Sequence, residues 1–178
     1  MINKGSITLD SERLTLRKLK ETDAEEVFKN WTSDDEVSKY VRWSTHKNVE
    51  ETREWLRQEE KNCKSKNYYT WGIVLKETRE LIGCISAIFR QEEDRYEIGY
   101  NIMKKYWNNG YTTESLKTVM NYLINDEKIK KFICRHAILN PASGAVMQKV
   151  GFKYIKDGES ISFDGTKKYK TKIYTLDK

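Results

Sequence analysis

The stretch Tyr106-Trp107-Asn108-Asn109-Gly110-Tyr111-Thr112-Thr113-Glu114 is a polar turn with one glycine, set between a strand pattern and a helix pattern. Upstream, residues 96–102 alternate, with Ile98, Tyr100 and Ile102 on one face and Glu97, Gly99 and Asn101 on the other, as a strand requires. Downstream, Leu116, Val119, Met120, Leu123 and Ile124 recur at i, i+3, i+4, i+7 and i+8, the spacing of an amphipathic helix lying on a sheet. A turn that opens a helix presents N–H groups without intrahelical partners, and the helix dipole favours negative charge there. Such a turn suits a phosphate; taken alone, it also reads as an ordinary strand-to-helix connection.

Working outward, Tyr68–Leu75 and residues 81–89 are rich in aromatic and β-branched side chains and flank a polar turn at 76–80, which predicts an antiparallel hairpin in the same sheet. Gly99 marks either a bulge or a close backbone approach. Nearer the N-terminus, Arg13-Leu14-Thr15-Leu16-Arg17 alternates as a half-buried strand. Thr22-Asp23-Ala24-Glu25 and Ser33-Asp34-Asp35-Glu36 read as capping boxes, the first opening a helix towards Trp31, and Asn48 precedes a helix with Val49, Trp55 and Leu56 on its apolar side. Beyond the central helix, residues 132–138 form a strand pattern. Asn140 is then an N-cap with Pro141 at N1, Ala142, Ala145, Val146 and Val150 supply a helical face, and Gly151 stops it. Two more strands are predicted at 152–155, with an extension of undefined length, and at 169–176, with Asp164-Gly165 as a turn. The class is α/β, a mixed and largely antiparallel sheet with helices on its faces.

A chain of 178 residues with 38% apolar content, one proline and no repeat or linker fits a single domain, residues 1–178. No apolar run approaches the roughly 20 residues that span a bilayer, and Met1-Ile2-Asn3-Lys4-Gly5-Ser6 lacks the features of a secretory signal. The expectation is a cytoplasmic protein without a membrane partner. Cys63, Cys84 and Cys134 are an odd number and widely spaced, and there are two histidines, so neither a disulfide framework nor a metal site is indicated. The net charge of +6 favours an anionic ligand. The lysines do not cluster with stacking aromatics, which argues against a nucleic-acid module.

The 106–114 segment resembles the pyrophosphate loop of the GNAT acetyltransferases, commonly written Q/R-x-x-G-x-G/A, with Trp107, Gly110 and Thr112 at the defined places. The ribosomal-protein N-terminal acetyltransferase branch often reads Y-W-G-x-G-Y-A-T-E here; Tyr106, Trp107, Gly110, Tyr111, Thr113 and Glu114 agree with it, and Asn108 and Thr112 depart. Asn140-Pro141-Ala142-Ser143, with Val146, Lys149 and Gly151-Phe152, is similar to that branch's N-x-x-S…V-x-x-K-x-G-F segment, and Glu12 to Arg17 with Asp23-Ala24 resembles its opening strand and helix.

The resemblance implies a GNAT fold and acetyl-CoA as cosubstrate, without a metal. The pantetheine arm would lie between two splayed strands and pair with main chain near Ile102 and Met103. The pyrophosphate would sit on Asn108, Asn109, Gly110, Tyr111, Thr112 and Thr113, and Asn140 would cap its helix, contact the pantetheine, or both. Glu97 is the candidate base for the acceptor amine; it reads equally as an exposed strand glutamate or as a salt-bridge partner of Arg95 or a lysine. Ser143 is the candidate donor to the CoA sulfur, or simply an N3 residue that helps satisfy its helix. Many GNAT enzymes use a tyrosine as that donor, but the matching position here is Met147. Trp31, Tyr40 and Trp43 would frame the acceptor, and His46 is either a proton relay or a surface histidine. The implied activity is acetyl transfer to a primary amine, with a protein N-terminal α-amine as leading acceptor. Small amines and a non-catalytic CoA sensor are the alternatives, and a homodimer is compatible with the resemblance.

Overall fold

The computed structural model describes residues 4–178; Met1, Ile2 and Asn3, part of the N-terminal stretch considered above, lie outside the described residues. Eight strands form one sheet: β1 (Leu9–Asp10), β2 (Leu14–Arg17), β3 (Tyr68–Leu75), β4 (Leu81–Arg90), β5 (Arg95–Ile102), β6 (Lys131–Ala137), β7 (Lys153–Ile161) and β8 (Lys168–Asp177). Their order is β1-β2-β3-β4-β5-β6-β8-β7. Among the described residues only β5 and β6 run parallel, which makes the sheet mixed and largely antiparallel, as the strand patterns predict.

The period of two along each strand gives the sheet two apolar faces. On one, Leu14, Leu16, Trp71, Ile73, Ile85 and Ile98 pack with Leu116, Val119 and Leu123 of α4 (Tyr111–Asn125) and Met147 of α5 (Pro141–Val150). On the other, Leu19 and Leu81 pack with Ala24 and Val27 of α1 (Ala24–Val27), Trp31, Val37 of α2 (Asp35–Ser38) and Leu56 of α3 (Val49–Asn62). Full burial of such side chains is worth about 1.5–3 kcal/mol each.

The helix starts predicted at Asn48 and Asn140 are observed, their side chains accepting from the N–H groups of Glu51 and Ser143. The two capping boxes shift. Asp23, rather than Thr22, makes the first contact by accepting from the Lys20 N–H at 2.8 Å. Asp34, rather than Ser33, accepts from Glu36 N–H at 2.8 Å. Both carboxylates hydrogen-bond across one turn or less, a geometry that a four-residue pattern does not resolve. The first helix is also not uniform, passing from a 3-10 turn at Glu21–Asp23 through α1 to a π segment at Phe28–Thr32.

Gly99 marks no bulge: β4 and β5 stay in register from Gly83↔Ile102 to Arg90↔Arg95, and the irregularities fall at Ile73/Val74 in β3 and at Tyr154/Lys156 in β7. Close backbone approach occurs at Gly83 instead, where an added Cβ would lie 2.2 Å from the Asn101 carbonyl oxygen and 2.8 Å from Ile102 Cα. The last hairpin is longer than its apolar pattern, because β7 is mostly exposed and is held by its ladder with β8. Gly83→Ala should therefore lower unfolding stability by at least about 2 kcal/mol, read as a reduced midpoint in urea with an unchanged m-value.

Candidate active site

Strands β5 and β6 pair only at Tyr96↔Phe132, Glu97↔Ile133 and Ile98↔Cys134, after which they diverge and β6 continues with β8 alone. The Cys134 thiol donates to the Ile98 carbonyl at 3.2 Å, so Ile98 main chain faces β6. By the two-residue period the main-chain groups of Tyr100 and Ile102 face the gap. Trp107 Nε1–H donates to the Ile102 carbonyl at 2.8 Å, whereas Met103 turns its N–H away to the Ile82 carbonyl at 2.7 Å.

The loop from Asn108 to Gly110 leads from this gap into α4. Gly110 adopts φ 79 and Asn108 φ 62, the left-handed region that asparagine tolerates better than other non-glycine residues. The departure from glycine at position 108 is thus absorbed locally. The Asn109 side chain donates to the Trp107 carbonyl at 2.8 Å. The N–H groups of Tyr111, Thr112 and Thr113 meet no acceptor among the described residues, and α4 has no side-chain cap. Glu114 ties this helix end to the turn between β1 and β2, accepting from Ser11 Oγ, the Arg13 N–H and Arg13 Nε at 2.7–2.8 Å. Burial alone would raise its pKa, but those donors outweigh burial and lower it. The free N–H groups, the left-handed turn and the open strand edge together suit a pyrophosphate followed by an extended amide-bearing arm.

Beside the gap lies a cavity of about 290 Å³. Ser143 and Tyr100 stand where it meets the gap: Ser143 Oγ donates to the Tyr100 phenol oxygen at 3.1 Å, and the Tyr100 hydroxyl donates to the Ser143 carbonyl at 2.9 Å. Burial holds the Tyr100 pKa well above its ordinary value. Asn140 lines the cavity while capping α5, and Met147 is buried in the core. Tyr100 is missing from the sequence-based site because its alternation places it on the apolar side of β5.

Glu97 also lines the cavity. Its partners are Arg90 Nε at 2.7 Å and Arg135 Nη1 at 2.5 Å, while Arg95 pairs with Asp177. Burial would raise the Glu97 pKa; the Arg135 and Arg90 guanidiniums outweigh it and hold the carboxyl below its usual range. A second cavity-lining carboxylate, Glu59 on the buried stripe of α3, has no such partner. Tyr68 donates to it at 2.6 Å, and burial raises its pKa.

Tyr40 and Trp43 line the cavity. Trp31 is fully buried in the core and borders a separate 30 Å³ cavity together with Trp43, Trp55 and His46. The His46 ring lies between Trp43 and Trp55 with Nδ1 2.8 Å from Thr52 Oγ1, and burial lowers its pKa. The Tyr40–Trp43 wall is clamped by the distant β7–β8 hairpin. Lys167 Nζ donates to the carbonyls of Ser38, Val41 and Trp43 at 2.8, 3.1 and 2.7 Å, and Phe163 N–H donates to the Arg42 carbonyl at 2.8 Å.

The chain belongs to the family of acetyltransferase (GNAT) domains, whose pattern its residues 13–153 match. It is 29% identical over 171 residues, 94% of this chain and 95% of the relative, to the protein of Bacillus subtilis (strain 168) described as uncharacterized N-acetyltransferase YoaA. Its fold matches the crystal structure of a GNAT-family acetyltransferase from Bacillus anthracis with a TM-score of 0.82 and 27% identity, covering 96% of this chain and 98% of that one. It also matches the acetyl transferase of Salmonella typhimurium that modifies the N-terminal serine of 50S ribosomal subunit protein L7/L12, with a TM-score of 0.83 and 17% identity over 97% and 99% of the two chains. This protein is accordingly an acetyl-CoA-dependent N-acetyltransferase. Among the described residues no helix is long and apolar enough to cross a membrane.

Two outcomes follow from this geometry. Lys167→Met should loosen the Tyr40–Trp43 wall and raise the acceptor KM at least about fivefold, leaving acetyl-CoA affinity, measured by calorimetry, unchanged. The two carboxylates should behave oppositely with pH. Glu97, with a lowered folded pKa, contributes stability above its unfolded value near 4.5 that is lost as pH falls through the folded pKa. Glu59, with a raised folded pKa, contributes stability below about 4.5 that is lost as pH rises through the folded pKa. The Tm of Glu59→Gln should gain on that of the parent as pH rises above about 4.5, whereas that of Glu97→Gln should fall behind the parent as pH rises towards about 4.5 and stay behind above it.

Proposed function

We propose that the protein acetylates a primary amine by direct attack within a ternary complex, the leading acceptor being the α-amine of a protein N-terminus. The observation that carries this reading is the junction of gap and cavity at Ser143 and Tyr100, where an amine from the cavity side meets a thioester from the gap side. The rim supports a chain that continues outward: Phe163 is 70% exposed at the cavity mouth and stacks under Arg42 at 4.6 Å. The likeness to the Salmonella enzyme, which modifies an N-terminal serine, favours the same acceptor class.

In the reaction the amine nitrogen loses a proton and bonds to the acetyl carbon, the carbon–sulfur bond breaks, and the departing sulfur takes up a proton. Acetyl-CoA supplies the activated acyl group. Main chain at Tyr100 and Ile102, with the N–H groups of Tyr111 to Thr113, holds it in register. Ser143 turns its hydroxyl from Tyr100 to the sulfur, and Tyr100, kept protonated by burial, anchors Ser143 through its carbonyl. Glu97 receives the amine proton directly or through water. Each of its oxygens accepts one guanidinium N–H and retains further acceptor capacity, and its lowered pKa makes it a relay rather than a store.

Ser143→Ala should lower kcat roughly a hundredfold with little change in acetyl-CoA affinity, and Tyr100→Phe should lower it less. Glu97→Gln should lose most activity at low pH and recover as the acceptor deprotonates in solution; a parental pH profile in that variant would remove Glu97 from the mechanism. Acetyl-CoA should raise the Tm by mass action, and Gly110→Val should diminish that shift.

A further inference from the structure

Glu59 is an anomaly on its helix. Thr52, Leu56 and Glu59 form the buried stripe of α3, and Glu59 is only 6% exposed. Carboxylates this deeply buried are ordinarily paired with a cation. Glu59 forms no salt bridge with any described residue; its side-chain partners are neutral, the hydroxyl of Tyr68 at 2.6 Å together with Thr70 and Trp55. The other carboxylate of the cavity shows the contrast, since Glu97 is neutralised by Arg90 and Arg135. Arg42, the remaining cation of the lining, stacks on Phe163 and donates to the Ile161 carbonyl.

The walls near Glu59 are also those that favour a cation. Trp55, Tyr68, Trp43 and Tyr40 line the same cavity, and aromatic faces attract ammonium and guanidinium groups, most strongly where water is excluded. Glu59 lies over the start of β3, and Thr70↔Ser86 and Ser86↔Gly99 align β3, β4 and β5. The Ser143–Tyr100 pair stands at β5, two strand spacings or roughly 10 Å along the sheet from β3, and lines the same cavity as Glu59. One molecule can reach both.

We infer that Glu59, with Trp55 and Tyr68, is a cation-binding subsite of the acceptor cavity, so that the preferred acceptor carries a second positive charge, ammonium or guanidinium, besides the amine that is acetylated. The inference rests on the transfer reaction proposed above for the identity of the cavity as the acceptor site. A basic side chain at the start of a protein N-terminus and a small diamine both present this chemistry.

The test compares charged and neutral isosteres. Acetyl transfer is measured with peptides beginning with lysine or norleucine, and with 1,5-diaminopentane or pentylamine. Binding of the same four molecules to the CoA-saturated protein is measured by calorimetry, which needs no turnover. The parent should favour the dication of at least one pair roughly ten- to a hundredfold, in binding and in kcat/KM, and Glu59→Gln should abolish that preference while leaving the neutral isostere unaffected. Whichever pair shows the preference identifies the source, peptide or small amine. Equal handling of both members of both pairs by the parent, or an equal loss for charged and neutral molecules in Glu59→Gln, would overturn the inference. Thermal denaturation confirms that the variant is folded, and Tyr68→Phe, which keeps the carboxylate, should retain the preference. If no amine is acetylated but the dication still binds through Glu59, the transfer reading fails and the cation subsite stands.

Discussion

The parting of β5 and β6 after three parallel pairs is the constraint on which the site depends. Two strands that stayed paired would satisfy each other's main chain along their length. Here the hydrogen-bonding groups of Tyr100 and Ile102 face an opening, and an extended ligand can complete the sheet. The same divergence makes room for the N-terminus of α5, which brings Ser143 to Tyr100. It also lets Arg135 reach Glu97. The loop from Asn108 to Gly110 depends on it at one remove, because the Trp107 indole that begins the turn is hydrogen-bonded to the Ile102 carbonyl on the open edge.

The cavity contains two carboxylates handled in opposite ways. Glu97 is bracketed by guanidiniums, an arrangement that keeps it ionised and that is costly to break because removal of one partner strands the other charge. Glu59 is buried with neutral hydrogen-bond partners and no cation, and burial disfavours its ionised form in the folded protein. Such local instability is common where a site is built to receive a ligand rather than to complete itself. The uneven charge distinguishes two parts of the cavity, a compensated one at Glu97 between Arg90 and Arg135 and an uncompensated one at Glu59 beside Trp55 and Tyr68.

The Tyr40–Trp43 wall of the cavity is assembled from parts remote in sequence. Residues 38–43 form no long helix, and their main chain is held by three hydrogen bonds from Lys167 and one from Phe163. The ammonium of Lys167 is partly desolvated there, and burial lowers its pKa. Three carbonyls converging on one cation fix the main chain of the wall, while Trp43 packs against the core on the α3 side. This accounts for the length of the β7–β8 hairpin, whose exposed strand contributes little to the core but carries the tip that clamps the wall.

By itself the sequence determined those features that arise within one element or one turn. The alternation of residues 96–102, the spacing of Leu116, Val119, Met120 and Leu123, the caps at Asn48 and Asn140 and the Gly110 turn are local consequences of period, capping and backbone freedom, and they define the class and the turn that opens α4. Tertiary structure decided what depends on contacts between elements. It turned Glu97 towards Arg90 and Arg135, brought Tyr100 from an apparent core face to Ser143, buried Trp31, and left Glu59 in the cavity without a cation. No periodicity encodes these outcomes, since each depends on where a strand diverges or a distant hairpin folds back. A buried charge shows its significance only when every neighbour that might neutralise it has been placed.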